Sequence, residues 1–345
     1  MELIKPKRLS VGDTIATVSI SWGIAGESNV AQKYELGRKR FYDIFGLKVQ
    51  PAQNSMKGVE YIKNNPKARA DDIMWAFENK DIHAIMANIG GNDSLSVIPF
   101  IDSSVIKNNP KIFIGYSDVM NIHLLCYKAG LSTFYGHNFL PFIAEIDFHP
   151  YCEKWFRKVF FDILPIGNIE PSNDWSCENP SNSDFFENPN YMRKYYPNIG
   201  YELVQGQGVV RGKLIGGHTG IMEIENELIA LSAADFENSI LFTEDIPEFF
   251  SPDAAANFFK WLGSNGFLQK LSGIIIGRLY ENIDFTEHSF AIKNVISNEF
   301  NMKDLPVLYG LNFGHSYPKF ILPYGAEAEI NCETKSFAVL ESGVI

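Results

Sequence analysis

The run Lys111-Ile112-Phe113-Ile114-Gly115-Tyr116-Ser117-Asp118 constrains this chain more than any other stretch. A short apolar segment ends at a glycine, a serine follows two positions later, and helical spacing begins at Val119, Ile122 and Leu125. The pattern reads as a buried strand turning sharply into a helix, an arrangement that belongs to a sheet covered on both faces. Such a turn sets the Ser117 hydroxyl at the carboxyl edge of the sheet, beneath the first N–H groups of the helix. A serine nucleophile is presented in this way, and so is a serine that merely caps a helix. The motif is Gly-x-Ser-Asp, because Val119 stands where Gly-x-Ser-x-Gly needs a glycine. Both readings stay open until partners for the serine are found.

The first half of the chain repeats this alternation. Apolar strand patterns occupy residues 14–20, 47–50 and 84–89, and helical spacing covers 29–45, 68–77 and the stretch to about 128. The spacing predicts an α/β fold whose N-terminal, mostly parallel sheet is flanked by helices. Ligands of such sheets bind outside the carboxyl ends of the strands, where Gly90-Gly91 and Ser117 both fall. Between about 168 and 207, prolines and asparagines break every period while Trp175, Phe185, Phe186, Tyr191, Tyr195 and Tyr196 supply aromatics. A passive linker needs few rings, so this segment reads as a functional loop or lid at a domain junction. A β-rich α/β region follows, with glycine-rich strands over 206–220, strands at 239–243, 273–276 and 307–311, and a helix at 252–262. The expected organisation is therefore a nucleophile-bearing domain over 1–165, a junction loop over 166–207 and a second domain over 208–345. Gly-x-x-x-x-Gly-Lys-Ser/Thr is absent and Lys213 precedes Gly216-Gly217, so the glycine doublet predicts tight β turns and not a phosphate loop.

Composition excludes several functions. A net charge of −11, from 41 acidic against 30 basic residues, argues against a nucleic-acid groove. No apolar run approaches a membrane span, and the start lacks the apolar segment of a secretory signal. Cys126, Cys152, Cys177 and Cys332 are scattered, with no Cys-x-x-Cys pair and no histidine cluster. The expectation is a cytoplasmic protein with reduced thiols, no bound metal and no cofactor.

A serine nucleophile needs a base, and the base needs an orienting acid. Among seven histidines, His315 stands just beyond the apolar run at 307–311, after Gly314. His123 lies more than one helical turn from Ser117, His137 and His218 follow strand-like segments, and His83, His149 and His288 sit in polar surroundings. The run Ile240-Leu241-Phe242-Thr243-Glu244-Asp245 drives an apolar strand into two carboxylates, with Glu248 nearby. Buried strand ends rarely carry charge without a partner. Ser117, Glu244 and His315 are thus a candidate triad, with Asp245 and Glu248 as alternative acids.

Together these segments resemble the LD-carboxypeptidase family of serine peptidases, and within it the microcin C immunity branch. The resemblance spans nearly the whole chain. It rests on Val11-Gly12-Asp13-Thr14-Ile15, Ser19-Ile20-Ser21-Trp22-Gly23, the helix around Ala68–77, the stretch from Ala84 to Asp102, and Gly115-Tyr116-Ser117-Asp118. The second half adds Gly212-Lys213-Leu214-Ile215-Gly216-Gly217, Leu241-Phe242-Thr243-Glu244-Asp245 and Gly314-His315. The resemblance implies an amidotransferase- or flavodoxin-like N-terminal domain, a Ser117 nucleophile, a His315 base, a Glu244 acid, and an oxyanion hole from backbone N–H groups at Gly91 and Asp118. It implies a homodimer acting on a small peptide or an aminoacyl-nucleotide conjugate such as processed microcin C, or on murein tetrapeptide, with Asn92, Trp175, Phe185, Phe186 and Lys213 contacting substrate. In the cell-wall-recycling branch an arginine follows the glycine pair; here Asn92-Asp93-Ser94-Leu95-Ser96 stands there, as in the microcin branch. A different class, a non-catalytic ligand-binding protein, would require the triad to be displaced.

Overall fold

A computed structural model describes residues 2–146, 148–178, 185–186, 188, 190–281 and 283–345. Strands β1 (Thr14–Val18), β2 (Lys48–Pro51), β3 (Ala84–Ala87), β4 (Ile112–Gly115) and β5 (Phe134–Tyr135) lie parallel in the order β2-β1-β3-β4-β5. This is the flavodoxin-like order, whose topological switch point falls between β1 and β3. The sequences explain the arrangement, since Ala-Ile-Met-Ala in β3 and Ile-Phe-Ile-Gly in β4 are buried at every position. Helices α1 (Ala31–Phe45), α2 (Val59–Asn64), α3 (Pro66–Glu78), α4 (Ser103–Asn108) and α5 (Met120–Lys128) connect these strands. Helix α1 stops at Gly46, which takes the left-handed conformation of a C-cap, and α3 starts at Pro66, whose fixed φ suits a first helical turn.

The second sheet has eight strands: β6 (Gly167–Asn168), β9 (Glu202–Gln205), β10 (Val209–His218), β11 (Ser239–Glu244), β12 (Leu271–Gly277), β13 (Val307–Leu311), β15 (Glu327–Asn331) and β16 (Ser336–Val339). Their order is β6-β16-β15-β10-β11-β12-β13-β9, with β10 to β13 parallel and the flanking strands antiparallel. The expected loop over 166–207 is more structured than its composition suggests. It supplies both edge strands of this sheet and a small ribbon of β7 (Asp174–Trp175) with β8 (Tyr196–Pro197). The chain also returns to the first sheet, where β14 (Leu322–Pro323) pairs antiparallel with β5.

The glycine doublet departs from expectation. Gly216 and Gly217 lie inside β10 and not in a turn, with φ of +144° and +137°. A Cβ on Gly216 would overlap the Phe242 carbonyl, and one on Gly217 would come 2.5 Å from Met120 Sδ. The glycines let β10 approach β11 and the start of α5 closely, which joins the two sheets. Among the described residues, no helix is long and apolar enough to cross a membrane.

Candidate active site

Ser117 follows β4 with φ of +64°, a left-handed conformation that costs a non-glycine residue about 1–3 kcal/mol. The strained turn lifts its hydroxyl over the carboxyl edge of the first sheet. His315 arrives from the turn after β13, and Glu244 ends β11. The His315 Nδ1–H donates to Glu244 Oε2 at 2.6 Å, leaving Nε2 as acceptor for the Ser117 hydroxyl at 3.1 Å. The His315 backbone N–H also reaches Glu244 Oε2, at 3.2 Å. Gly314 has φ of +80°, and a side chain there would run into the Glu244 carboxylate, so only glycine lets His315 sit this close. Burial opposes the Glu244 charge, but the His315 ring, with help from His218 and Tyr135, outweighs it and brings the carboxyl down to about 2.

Two further connections were not legible in the sequence. Tyr135, at the end of β5, donates its hydroxyl to Glu244 Oε1 at 2.5 Å and accepts from the Ser117 N–H at 3.1 Å. It therefore ties Glu244 to the Ser117 turn directly. The Asp118 carboxylate accepts the N–H groups of Asp93 at 3.0 Å and Ser94 at 2.8 Å, clamping the loop after β3 against the same turn. Within that clamp a Cβ added at Gly90 would fall 3.3 Å from Ser117 Oγ, so the Gly90 backbone borders Ser117. Ser96 accepts from Arg69 at 2.8 Å; the same guanidinium holds the Asp93 carboxylate at 2.8 Å.

The remaining candidates separate by geometry. Asp245 turns away from His315 to His218, whose Nε2–H donates to it at 3.1 Å, and Thr219 also donates to it. The His218 ring lies 5.8 Å from the His315 ring, and its Nδ1 is buried with no hydrogen-bond partner among the described residues. A histidine ending an apolar strand parallel to the one that carries Glu244 is the signal that marks this position in the sequence. Glu248 accepts from Tyr280 at 2.7 Å. His123 is a satisfied core histidine, bonded to Thr133 at 2.8 Å and the Gly115 carbonyl at 3.0 Å, and burial pushes it down to about 3. His288 is buried on the Phe250 carbonyl at 2.7 Å, not surface-exposed as its context suggested.

Of the expected substrate contacts, Asn92 is exposed beside Gly91 in the cleft. Lys213 is not there: it precedes His218 by five positions on β10, about 17 Å of extended strand. The alternation that exposes it places it near the far edge of the sheet. Trp175, Phe185 and Phe186 are 5%, 1% and 2% exposed. Trp175 lies against the Arg278 guanidinium, 5.1 Å from its ring centroid, and Phe185 beneath the Lys33 ammonium at 3.8 Å. These contacts engage the rings in packing against Arg278, Lys33 and Trp22. Phe186 meets Trp22 edge to face at 5.5 Å. Among the described residues, no group of three or more His, Cys, Asp or Glu side chains is arranged to hold a metal ion.

Both halves of the chain match the domain models of one family. The LD-carboxypeptidase N-terminal domain matches residues 15–136 and the LD-carboxypeptidase C-terminal domain matches 211–330. The chain is similar to the Escherichia coli microcin C7 self-immunity protein MccF, at 30% identity over 96% of this chain and 94% of that protein. It is similar to a probable murein peptide carboxypeptidase of Bacillus subtilis, at 26% identity over 99% and 95% of the two chains. Among solved structures, an MccF-like protein from Streptococcus pneumoniae in complex with AMP superposes with a TM-score of 0.84, at 28% identity over 95% of this chain and 98% of that one. MccF with aspartyl sulfamoyl adenosine gives 0.84, at 27% identity over 99% and 100%. Two matched domains, and a relative aligned almost end to end, leave one assignment: this chain belongs to the LD-carboxypeptidase family and is a serine-type hydrolase.

Proposed function

We propose that Ser117, His315 and Glu244 form the catalytic triad of an amidase that cleaves an aminoacyl-nucleotide or small peptide conjugate. The hydrogen-bonded line from Ser117 Oγ through the imidazole to the carboxylate carries this reading. His315 Nε2 takes the Ser117 proton as Oγ attacks the scissile carbonyl, and Glu244 stabilises the imidazolium that forms. The N–H groups of Gly91 and Asp118 are assigned to the developing oxyanion. His315 then protonates the leaving amine, and water, deprotonated by the same ring, releases the acyl group from Ser117. The nucleophile belongs to a domain over 1–165, the acid and base to one over 208–345, and the segment over 166–207 joins them. The complexes of similar proteins with AMP and aspartyl sulfamoyl adenosine support a nucleotide conjugate as substrate. Family resemblance supports a homodimer, and four free cysteines suit a cytoplasmic setting.

The test is turnover of an aminoacyl sulfamoyl adenosine and of murein tetrapeptide, with products identified by mass. Ser117→Ala and His315→Ala should each lower kcat by about 10³-fold or more with an unchanged circular dichroism spectrum. Near-normal hydrolysis by Ser117→Ala would falsify the mechanism. Release of D-alanine from tetrapeptide, without attack on the adenylate analogue, would move the substrate to the cell wall.

A further inference from the structure

Beyond the carboxyl ends of β12 and β13, where β9 closes the edge of the second sheet, lies a cavity of about 350 Å³. Among the described residues, none of Ser117, Glu244 and His315 borders it. One wall is apolar, with Phe285 stacked on Tyr309 at 3.4 Å and Leu279 and Ile283 beside them. Arg278 also lines the cavity, although it is only 8% exposed. Its guanidinium lies 5.1 Å from the centre of the Trp175 ring and 5.8 Å from that of Tyr309, and its Nη2 donates to the Gly200 carbonyl at 2.9 Å. Among the described residues, its Nε has no hydrogen-bond partner and no carboxylate lies within ion-pair distance. A buried charge is ordinarily paired with an opposite one. Two carboxylates reach the same cavity, from Glu202 on β9 and from Asp284. Asp284 is committed to the start of the helix Thr286–Lys293, where it accepts the Thr286 N–H at 3.0 Å and the Thr286 hydroxyl at 2.7 Å. Glu202 is exposed and stands opposite Tyr309 in the register of β9 with β13. Arg278 and Glu202 thus bring a cation and an anion to one small cavity without pairing to each other.

We infer that this cavity binds a free α-amino acid with an apolar side chain, its carboxylate on Arg278, its ammonium on Glu202 and its side chain against the Tyr309–Phe285 pair. A guanidinium fork matches a carboxylate in shape as well as charge. A simple anion would meet Glu202 and a simple cation would meet Arg278, so a ligand carrying both charges on one carbon suits both groups. The volume stands near the lower end of ligand pockets and fits an amino acid better than a nucleotide conjugate. An amino acid is also a product of the amidase proposed above, but the site uses none of the triad and stands without that reading.

The probe is L-leucine, titrated into the wild-type protein by calorimetry, with N-acetyl-L-leucine and 3-methylbutylamine as ligands that keep only one of the two charges. L-Leucine should bind at one site, and each single-charge analogue about tenfold more weakly or worse. Glu202→Gln, an exposed change that leaves the core intact, should raise the Kd for L-leucine about tenfold and leave that for N-acetyl-L-leucine unchanged. Arg278→Lys, which keeps the charge and loses the fork, should weaken both ligands. Ser117→Ala should leave L-leucine binding unaltered, since the triad does not border the cavity. No L-leucine binding by the wild type at millimolar concentration, or binding that Glu202→Gln does not change, would overturn the site. Binding lost in Ser117→Ala would put the amino acid in the catalytic cleft, which overturns the site and leaves the amidase reading standing.

Discussion

Tyr135 shows how much one side chain can fix at a junction. Its hydroxyl proton goes to Glu244 and its lone pair to the Ser117 N–H, so a single group sets Glu244 and the Ser117 turn in register. Burial and the neighbouring Glu244 charge raise its pKa well above the usual phenol value, which keeps it a donor at any working pH. Tyr135→Phe removes a hydrogen bond to a charged group worth about 1.5–3 kcal/mol. We expect kcat to fall about 10- to 100-fold, the acid limb of the kcat/KM profile to move to higher pH, and the Kd for AMP to stay the same. An unshifted pH profile would reduce Tyr135 to a packing residue. His123, by contrast, shows that a histidine near a nucleophile in sequence can be fully occupied by the core.

At the level of elements, the aromatic segment is the instructive case. Its proline- and asparagine-rich sequence has no period because its strands β6, β7 and β8 are each two residues long, too short for an alternation to show. Phe185 and Phe186 stand edge to face at 4.9 Å, and Phe186 in turn braces Trp22. Phe186→Ala should therefore lower stability by about 3–5 kcal/mol, as expected for a buried phenylalanine. Thermal melting and KM measured on the same preparation check this; a raised KM with an unchanged Tm would return Phe186 to direct stacking. The glycines of β10 make the same point, since their role depends on Phe242 and Met120 and not on their own neighbours in sequence.

For the whole molecule, Lys319 links the site to global stability. Its ammonium lies 3.6 Å from the centre of the Tyr116 ring and donates to the Gly314 carbonyl, so it touches the residues preceding both Ser117 and His315. Burial lowers its pKa; Glu244, Cys152 and Glu145 oppose that and Arg193 adds to it, leaving a value of about 7 against the ordinary 10.5. Between those pH values the unfolded chain holds a proton that the folded chain has lost, so stability rises with pH across that window. Urea midpoints should increase from pH 7 to pH 9 in the wild type, and Lys319→Met should flatten that rise. Parallel slopes in the two proteins would place the titration elsewhere.

The sequence by itself determined the strand and helix alternation and the sharp turn at Ser117, and it singled out Glu244 at a strand end and His315 just beyond one. Those signals are local: burial on both faces demands unbroken apolar runs, and a sharp turn demands glycine and serine at fixed spacing. Only the tertiary structure decided that Asp245 turns to His218, that Tyr135 bridges Glu244 and Ser117, that Lys213 lies far down its strand, and that Trp22 and Phe249 line one crevice. Each of these depends on which distant segments the two sheets bring together, such as β14 returning to β5, and no periodicity within a segment encodes that choice.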